Sequence, residues 1–163
     1  MKTSRYCATQ LIALLVLAGC GGSGDQAVHS PEADAVSVSN MVAEFDRCAR
    51  EGDLEAFLSH VMDDVVWMPP GEPAVVGKQA VREWYANFYG TFDIELTHDV
   101  LDTHTFGDAV IARGNAAQTL TPKAGGSPMS LSAKFILVFR RQPEGPLKVW
   151  RAIANANTPP TGG

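Results

Sequence analysis

The sequence predicts an α+β domain, with three helices packed on one face of a strongly curved, mostly antiparallel sheet that encloses a pocket. Three observations carry this. Apolar residues recur at helical spacing in three stretches between Ser37 and Ile94. Long strand-like segments then follow, separated by Gly- and Pro-rich turns, the pattern of a meander. The third helical stretch places Val81, Trp84, Tyr85 and Phe88 at i, i+3, i+4 and i+7, a broad aromatic face that must bury against something large. Helices followed by such a sheet put the helices on one side of it.

In chain order, residues 1–19 are set apart from this domain. Lys2 and Arg5 form a basic region, and Leu11 to Ala18 is an apolar run of eight residues. A spanning helix needs roughly 20 apolar residues, so the run fits a secretory signal instead. It ends Leu17-Ala18-Gly19-Cys20, which resembles the lipobox of bacterial lipoproteins. That resemblance implies cleavage before Cys20, acylation of Cys20, and attachment to a membrane of the bacterial cell envelope on its extracytoplasmic face. Cleavage there removes 19 of 163 residues and shifts the formal net charge from −5 to −7. So acidic a chain is not built to neutralise phosphates, and nucleic acid is excluded as a partner. Residues 20–36, rich in Gly, Ser, Ala and Asp without a hydrophobic period, read as a lipidated flexible tether.

The domain is expected over residues 37–158, with a disordered tail at 159–163. Val38, Val42, Phe45 and Ala49 mark the first helix, with Ser37 or Ser39 as N-cap and Gly52 as the stop. Asp53 caps a short second helix carrying Leu54, Phe57, Leu58 and Val61. Val65 to Met68 is β-rich and ends at Pro69-Pro70-Gly71, and the third helix follows Gly77. Strands are predicted over Ile94–His104, Ala109–Leu120, Leu131–Arg141 and Leu147–Asn157. Cys48, on the first helix, reads as a small buried hydrophobe, and as the one thiol left beside a lipidated Cys20 it has no disulfide partner.

The order helix, Gly52-Asp53-Leu54, helix, Asp63-Asp64-Val65-Val66, Pro-Gly loop, Gly77 and Ala80-Val81-Arg82-Glu83-Trp84-Tyr85-Ala86-Asn87 resembles the nuclear transport factor 2-like superfamily. Within it the chain is similar to the SnoaL-like and ketosteroid-isomerase-like branch and to domain of unknown function 4440, over about residues 38–157. The resemblance implies a cone-shaped fold and a ligand pocket. Three positions that carry ketosteroid isomerase chemistry correspond here to Phe45 (a tyrosine donor there), Pro69 (an aspartate base) and Leu137 (a protonated aspartic acid). Phe, Pro and Leu neither abstract a proton nor stabilise an enolate, which excludes isomerase chemistry from those positions.

The same resemblance implies a pocket wall of Phe45, Trp67, Trp84, Phe88, Ile111, Arg113, Asn115, Leu137, Phe139, Ala152 and Ala154. The facing of Trp150 depends on whether a bulge precedes Ala152. Arg113 has two readings: an inward guanidinium that selects an anionic or carbonyl-bearing ligand, or an ion pair with Glu95, Asp99 or Asp102 on the neighbouring strand or outer face. His98 and His104 share the parity of Ile94, Leu96 and Val100, so an inward His98 would serve as a general base. No CxxC, HxxxH or HExxH pattern is present, nor a G-x-S-x-G elbow or a phosphate-binding glycine loop, so neither metal nor cofactor is expected. Three functions follow in order. The first is a binding domain for a small apolar or carbonyl-bearing ligand. The second is a dehydratase-, cyclase- or isomerase-type enzyme using His98, Arg113 and Asn115. The third is a homodimeric assembly module joined through an outer sheet face carrying Phe135, Ile136, Val138 and Val149.

Overall fold

The computed structural model describes residues 30–143 and 145–157. Residues 1–19, expected as a signal, Cys20, most of the expected tether and the expected tail at 159–163 lie outside the described residues. Helix α1 (Pro31–Glu51) begins six residues before the expected boundary at 37. The cap is Ser30 rather than Ser37 or Ser39: its Oγ accepts from the Ala33 amide at 3.1 Å, and Pro31 occupies the first turn. The missed turn is polar in composition yet anchored, because Asp34 is buried and paired with Arg141 and Thr105. Gly52 ends α1 at φ 68°, a left-handed cap that favours glycine. Asp53 then caps α2 (Leu54–Ser59) by accepting from the Ala56 amide at 3.1 Å.

Strand β1 (Val61–Met68) pairs with the two-residue β2 (Val75–Val76), which sequence periodicity had not marked. Helix α3 (Lys78–Thr91) follows, then four long strands: β3 (Phe92–Phe106), β4 (Ala109–Pro122), β5 (Met129–Arg141) and β6 (Leu147–Ala156). The sheet order is β2-β1-β6-β5-β4-β3, antiparallel except for the parallel pair β1–β6. Register shifts at Leu101, at Trp150 and within β1 bend it. The helices lie on its concave face, and the core between them holds Val38, Phe45, Phe57, Leu58, Val81, Val110, Phe139 and Val149. Cys48 is fully buried there, and burial pushes its thiol up to about 11.

Small residues shape the centre of the concave face. Ala112, Gly114 and Ala116 point inward from β4. A Cβ at Gly114 would overlap the Asp99 carbonyl oxygen and the Phe135 ring. Glycine is therefore what lets Phe135 lie against β4 and reach the neighbouring β3.

Candidate functional site

Helices and sheet leave a cavity of about 160 Å³ between them. Its wall is mainly aromatic: Phe45 from α1, Phe57 from α2, Trp67 from β1, and Trp84, Tyr85, Phe88 and Tyr89 from α3. The rings brace one another. Centroids are 5.3 Å apart for Phe45–Phe57, 5.5 Å for Phe57–Trp67, 4.4 Å for Phe57–Tyr85 and 5.4 Å for Trp67–Tyr85, in tilted or edge-on geometries that aromatic quadrupoles favour. The sheet side is lined by smaller groups, Ala116, Ala133, Ala152 and Ala154, which is why space remains. At the rim, Glu72 accepts from the Trp84 indole N–H at 2.8 Å, tying the loop after Pro69 and Pro70 to α3.

The polar centre of the cavity is His98. Its ring Nδ1 lies 2.6 Å from Asp46 Oδ1, while its backbone amide donates to Asp46 Oδ2 at 3.1 Å. One carboxylate thus grips both the ring and the main chain of β3, and both side chains are only about 15% exposed (His98 15%, Asp46 14%). An ionised carboxylate only accepts, so Nδ1 carries the ring proton, and in the neutral ring Nε2 is the nitrogen with the lone pair. Nε2 has no hydrogen-bond partner among the described residues. The His98 ring packs edge-on against Phe135 at 5.1 Å, the same ring that Gly114 admits. The result is an oriented imidazole on an apolar cavity, with the arrangement of a general base.

The remaining polar groups of the lining are the Tyr85 and Tyr89 phenols, the Gln118 amide and the indole N–H groups of Trp67 and Trp84, and no Arg or Lys is among the lining residues described. Burial pushes the Tyr85 and Tyr89 phenols above their ordinary range, so both stay protonated as donors. His60 stands outside the lining, edge-on to Phe45 at 5.9 Å, and burial holds its imidazole below its usual value. Among the described residues no group of three His, Cys, Asp or Glu is placed to hold a metal ion.

Of the wall expected from sequence, Phe45, Trp67, Trp84, Phe88, Leu137, Ala152 and Ala154 line the cavity, as does His98. Ile111, Arg113 and Asn115 do not, because β4 presents the opposite parity: Val110, Ala112 and Gly114 are buried, and Arg113 and Asn115 are exposed on the outer face. Arg113 pairs there with Asp102 at 2.6 Å, the second of its two readings, so Arg113 and Asn115 are removed as catalytic candidates. Phe139 points inward but is packed wholly into the core beneath the cavity. The register shift at Leu101 turns His104 outward, where its side chain is exposed.

Trp150 is the bulged residue of β6. It donates to Asp64 at 3.0 Å, with the Arg140 and Arg151 guanidinium groups each 3.9 Å from its ring centre. Of the residues expected on the outer face, Phe135 and Val149 are buried inward, whereas Ile136 is exposed there as expected, joined by Ile153. Asp46, Tyr85 and Gln118 were not picked out as site residues from sequence. Gln118 shares the parity of Ala116 and Leu120, the signal that would have found it.

Phe45, Pro69 and Leu137 all line the cavity, so the three positions matched to ketosteroid isomerase fall in the expected place with inert side chains. Residues 42–150 match the family model of the SnoaL-like domain. No curated protein sequence matches the chain. Among solved structures, a conserved protein from Planctomyces limnophilus superimposes with a TM-score of 0.72 at 21% identity, over 77% of this chain and 97% of that one. A ketosteroid isomerase-like protein from Erwinia carotovora atroseptica gives 0.66 at 25% identity, over 84% and 99%. A nuclear transport factor 2-like superfamily protein from Salmonella enterica gives 0.70 at 14% identity, over 82% and 98%. With the model covering most of the chain and the cone fold shared throughout, the protein belongs to the SnoaL-like domain family of the nuclear transport factor 2-like superfamily.

Proposed function

We propose that the cavity binds a small, neutral, largely apolar molecule bearing a carbonyl oxygen, and that His98, held by Asp46, moves a proton on it. The observation that carries this reading is the grip of one carboxylate on both the ring and the amide of His98 beside an aromatic cavity. A lining without a cation gives an anionic ligand no counter-charge, which favours a neutral one. The chemistry is isomerisation or dehydration, both of which need a base and no cofactor. One structural relative is named ketosteroid isomerase-like, and proton transfer beside a carbonyl fits that name, although Phe45, Pro69 and Leu137 require different residues here to perform it.

The test uses cyclohex-2-enone in D2O. Binding is followed by the fluorescence of Trp67 and Trp84, and exchange of the ring protons next to the unsaturated carbonyl system by proton NMR. Saturable quenching with protein-dependent exchange is expected. Quenching without exchange would reduce the site to a binding pocket, and neither signal would overturn the reading.

We also propose that the domain works on the surface of a bacterial envelope membrane, held by lipid on Cys20. The support is the basic start, the short apolar run and the Leu17-Ala18-Gly19-Cys20 ending. In detergent phase separation of protein expressed with its N-terminal segment, the wild type is expected in the detergent phase and Cys20→Ala in the aqueous phase. Equal partitioning of the two would refute the anchor.

A further inference from the structure

Charge is unevenly spread over the sheet of this acidic chain. Strands β4, β5 and β6 carry six basic residues (Arg113, Lys134, Arg140, Arg141, Lys148 and Arg151) and no acidic one, whereas β3 carries four acidic residues and no Lys or Arg. Four of the six gather at one end of the sheet, where β5 finishes and β6 begins. Arg141 is buried there against Asp34. The other three stay partly exposed: Arg140 pairs across the strands with Lys148, and the Arg140 and Arg151 guanidinium groups both stack on the bulged Trp150. Of the carboxylates on the adjoining strand and turn, Asp63 lies beside Lys78, Asp64 accepts from the Trp150 indole, and Asp108 is 3.7 Å from Arg140. The β3–β4 turn closes the same end and leaves Phe106 61% exposed, a large ring that contributes little burial to the fold. Helix α1 also starts here, because Asp34 is tied to Arg141 and Thr105. Only ten residues lead from Ser30 back to Cys20, a reach of at most about 35 Å.

We infer that this end of the sheet docks on an anionic lipid surface, with Phe106 entering the headgroup layer and Arg140, Lys148 and Arg151 set against lipid phosphates. The inference rests on the Cys20 reading for bringing the domain to a membrane, though not for the docking contact itself. An indole flanked by cations suits that boundary, since its ring favours the interface and the guanidinium groups favour the phosphates. A chain of net charge −5 is repelled by an anionic surface in most orientations, so its basic end sets the orientation in which it can approach. The orientation has a consequence for the cavity. Fully buried Val110, Phe139 and Val149 fill the sheet's docking end, whereas the cavity takes Ile94, Gln118 and Ala133 from the opposite end. Docking therefore holds the cavity away from the bilayer, facing a ligand that arrives through water.

The test uses the full chain with vesicles of phosphatidylcholine, alone or mixed with phosphatidylglycerol, whose acyl chains are brominated to quench a nearby indole. Flotation reads the anchor and quenching reads the docking. The wild type is expected to float with both lipids and to be quenched only where phosphatidylglycerol is present, less so as salt is raised. Trp67 and Trp84 line the cavity, so the quenched indole should be Trp150 and Trp150→Phe should remove the signal. Phe106→Ser should weaken quenching, and Arg140→Gln combined with Lys148→Gln should lower the ratio of docked to undocked protein about fivefold per cation removed. Leu131→Ser, at an exposed apolar residue of the opposite end, should change nothing. Quenching with neither lipid, equal quenching with both, quenching that survives Trp150→Phe, or equal losses in Phe106→Ser and Leu131→Ser would each overturn the docking surface. So would a dimer that forms through this end in place of quenching, since the occupant would then be a second copy. Flotation with both lipids but no quenching leaves the anchor standing and removes the docking. Flotation and quenching confined to phosphatidylglycerol vesicles does the reverse.

Discussion

Replacing His98 by glutamine is expected to reduce protein-dependent proton exchange by about 10²–10⁴-fold while leaving ligand quenching and stability nearly intact, since that range is what a positioned general base contributes. Glutamine can still donate to Asp46 and fill the space beside Phe135, but it has no lone pair that takes up a proton near neutral pH. Asp46→Asn is the sharper companion. The carboxylate serves two donors at once, the ring at 2.6 Å and the His98 amide at 3.1 Å. An asparagine has one oxygen for these two. If it keeps the main-chain amide, its NH2 faces Nδ1, which must then accept, and the ring proton moves to Nε2. The base becomes a donor pointing into the cavity. Asp46→Asn is thus expected to lose exchange nearly as fully as His98→Gln, from an unchanged backbone. The measurements are single-turnover exchange by NMR and the chemical shifts of the His98 ring nitrogens, which report the tautomer directly. Retained exchange in both variants would remove His98 from the chemistry.

Much of the fold was legible because it is written locally. Gly52 and Asp53 end one helix and cap the next through bonds within a few residues, and the alternation of β3 to β6 follows from each strand having one buried face. Facing was harder wherever a single residue changes the count. Leu101 and Trp150 are bulges, so parity read through either one reverses, which is how His104 and His98 came to opposite faces. On β4 both parities begin apolar, and Arg113 drew attention to the wrong one. The informative signal was the run of small residues, Ala112, Gly114 and Ala116, which marks the face beneath Phe135 and the cavity. Phe135 shares parity with Leu137 and Phe139, so strand alternation alone places it inward. Asp46 was invisible for a different reason: its partner is 52 residues away, and an acidic residue beside a helix's apolar stripe reads as solvated until the strand that covers it is known.

Asp34 shows the same long-range dependence and carries the largest expected effect on stability. Its carboxylate, with the side chain only 3% exposed, accepts from Arg141 at 2.6 Å and from Thr105 at 2.9 Å, and the Arg141 side chain is itself only 16% exposed. Asp34→Ala leaves a largely buried guanidinium without its counter-charge, for which the expected cost is about 3–5 kcal/mol. That is a large share of the roughly 5–15 kcal/mol that holds a domain of ordinary stability together. Asp34 and Asp46 also tie the same helix to the same strand at two points. Twelve residues of α1 span about 18 Å, and the seven residues from His98 to Thr105 of β3 span about 23 Å, so the two ties fit one antiparallel register of helix over strand. Losing the first tie removes one of these two polar fixings of the register, so at temperatures where Asp34→Ala is still folded its exchange rate should fall by less than the His98 variant's but measurably. Urea denaturation of Asp34→Ala, Arg141→Met and the double variant closes the argument. Arg141→Met should destabilise by a similar amount, because it strands Asp34. The double variant should cost less than the sum by about 1–3 kcal/mol, since it buries no unpaired charge. Strict additivity, or a single-variant cost below about 1 kcal/mol, would mean that the pair is an ordinary surface contact and that α1 is positioned by its apolar face alone.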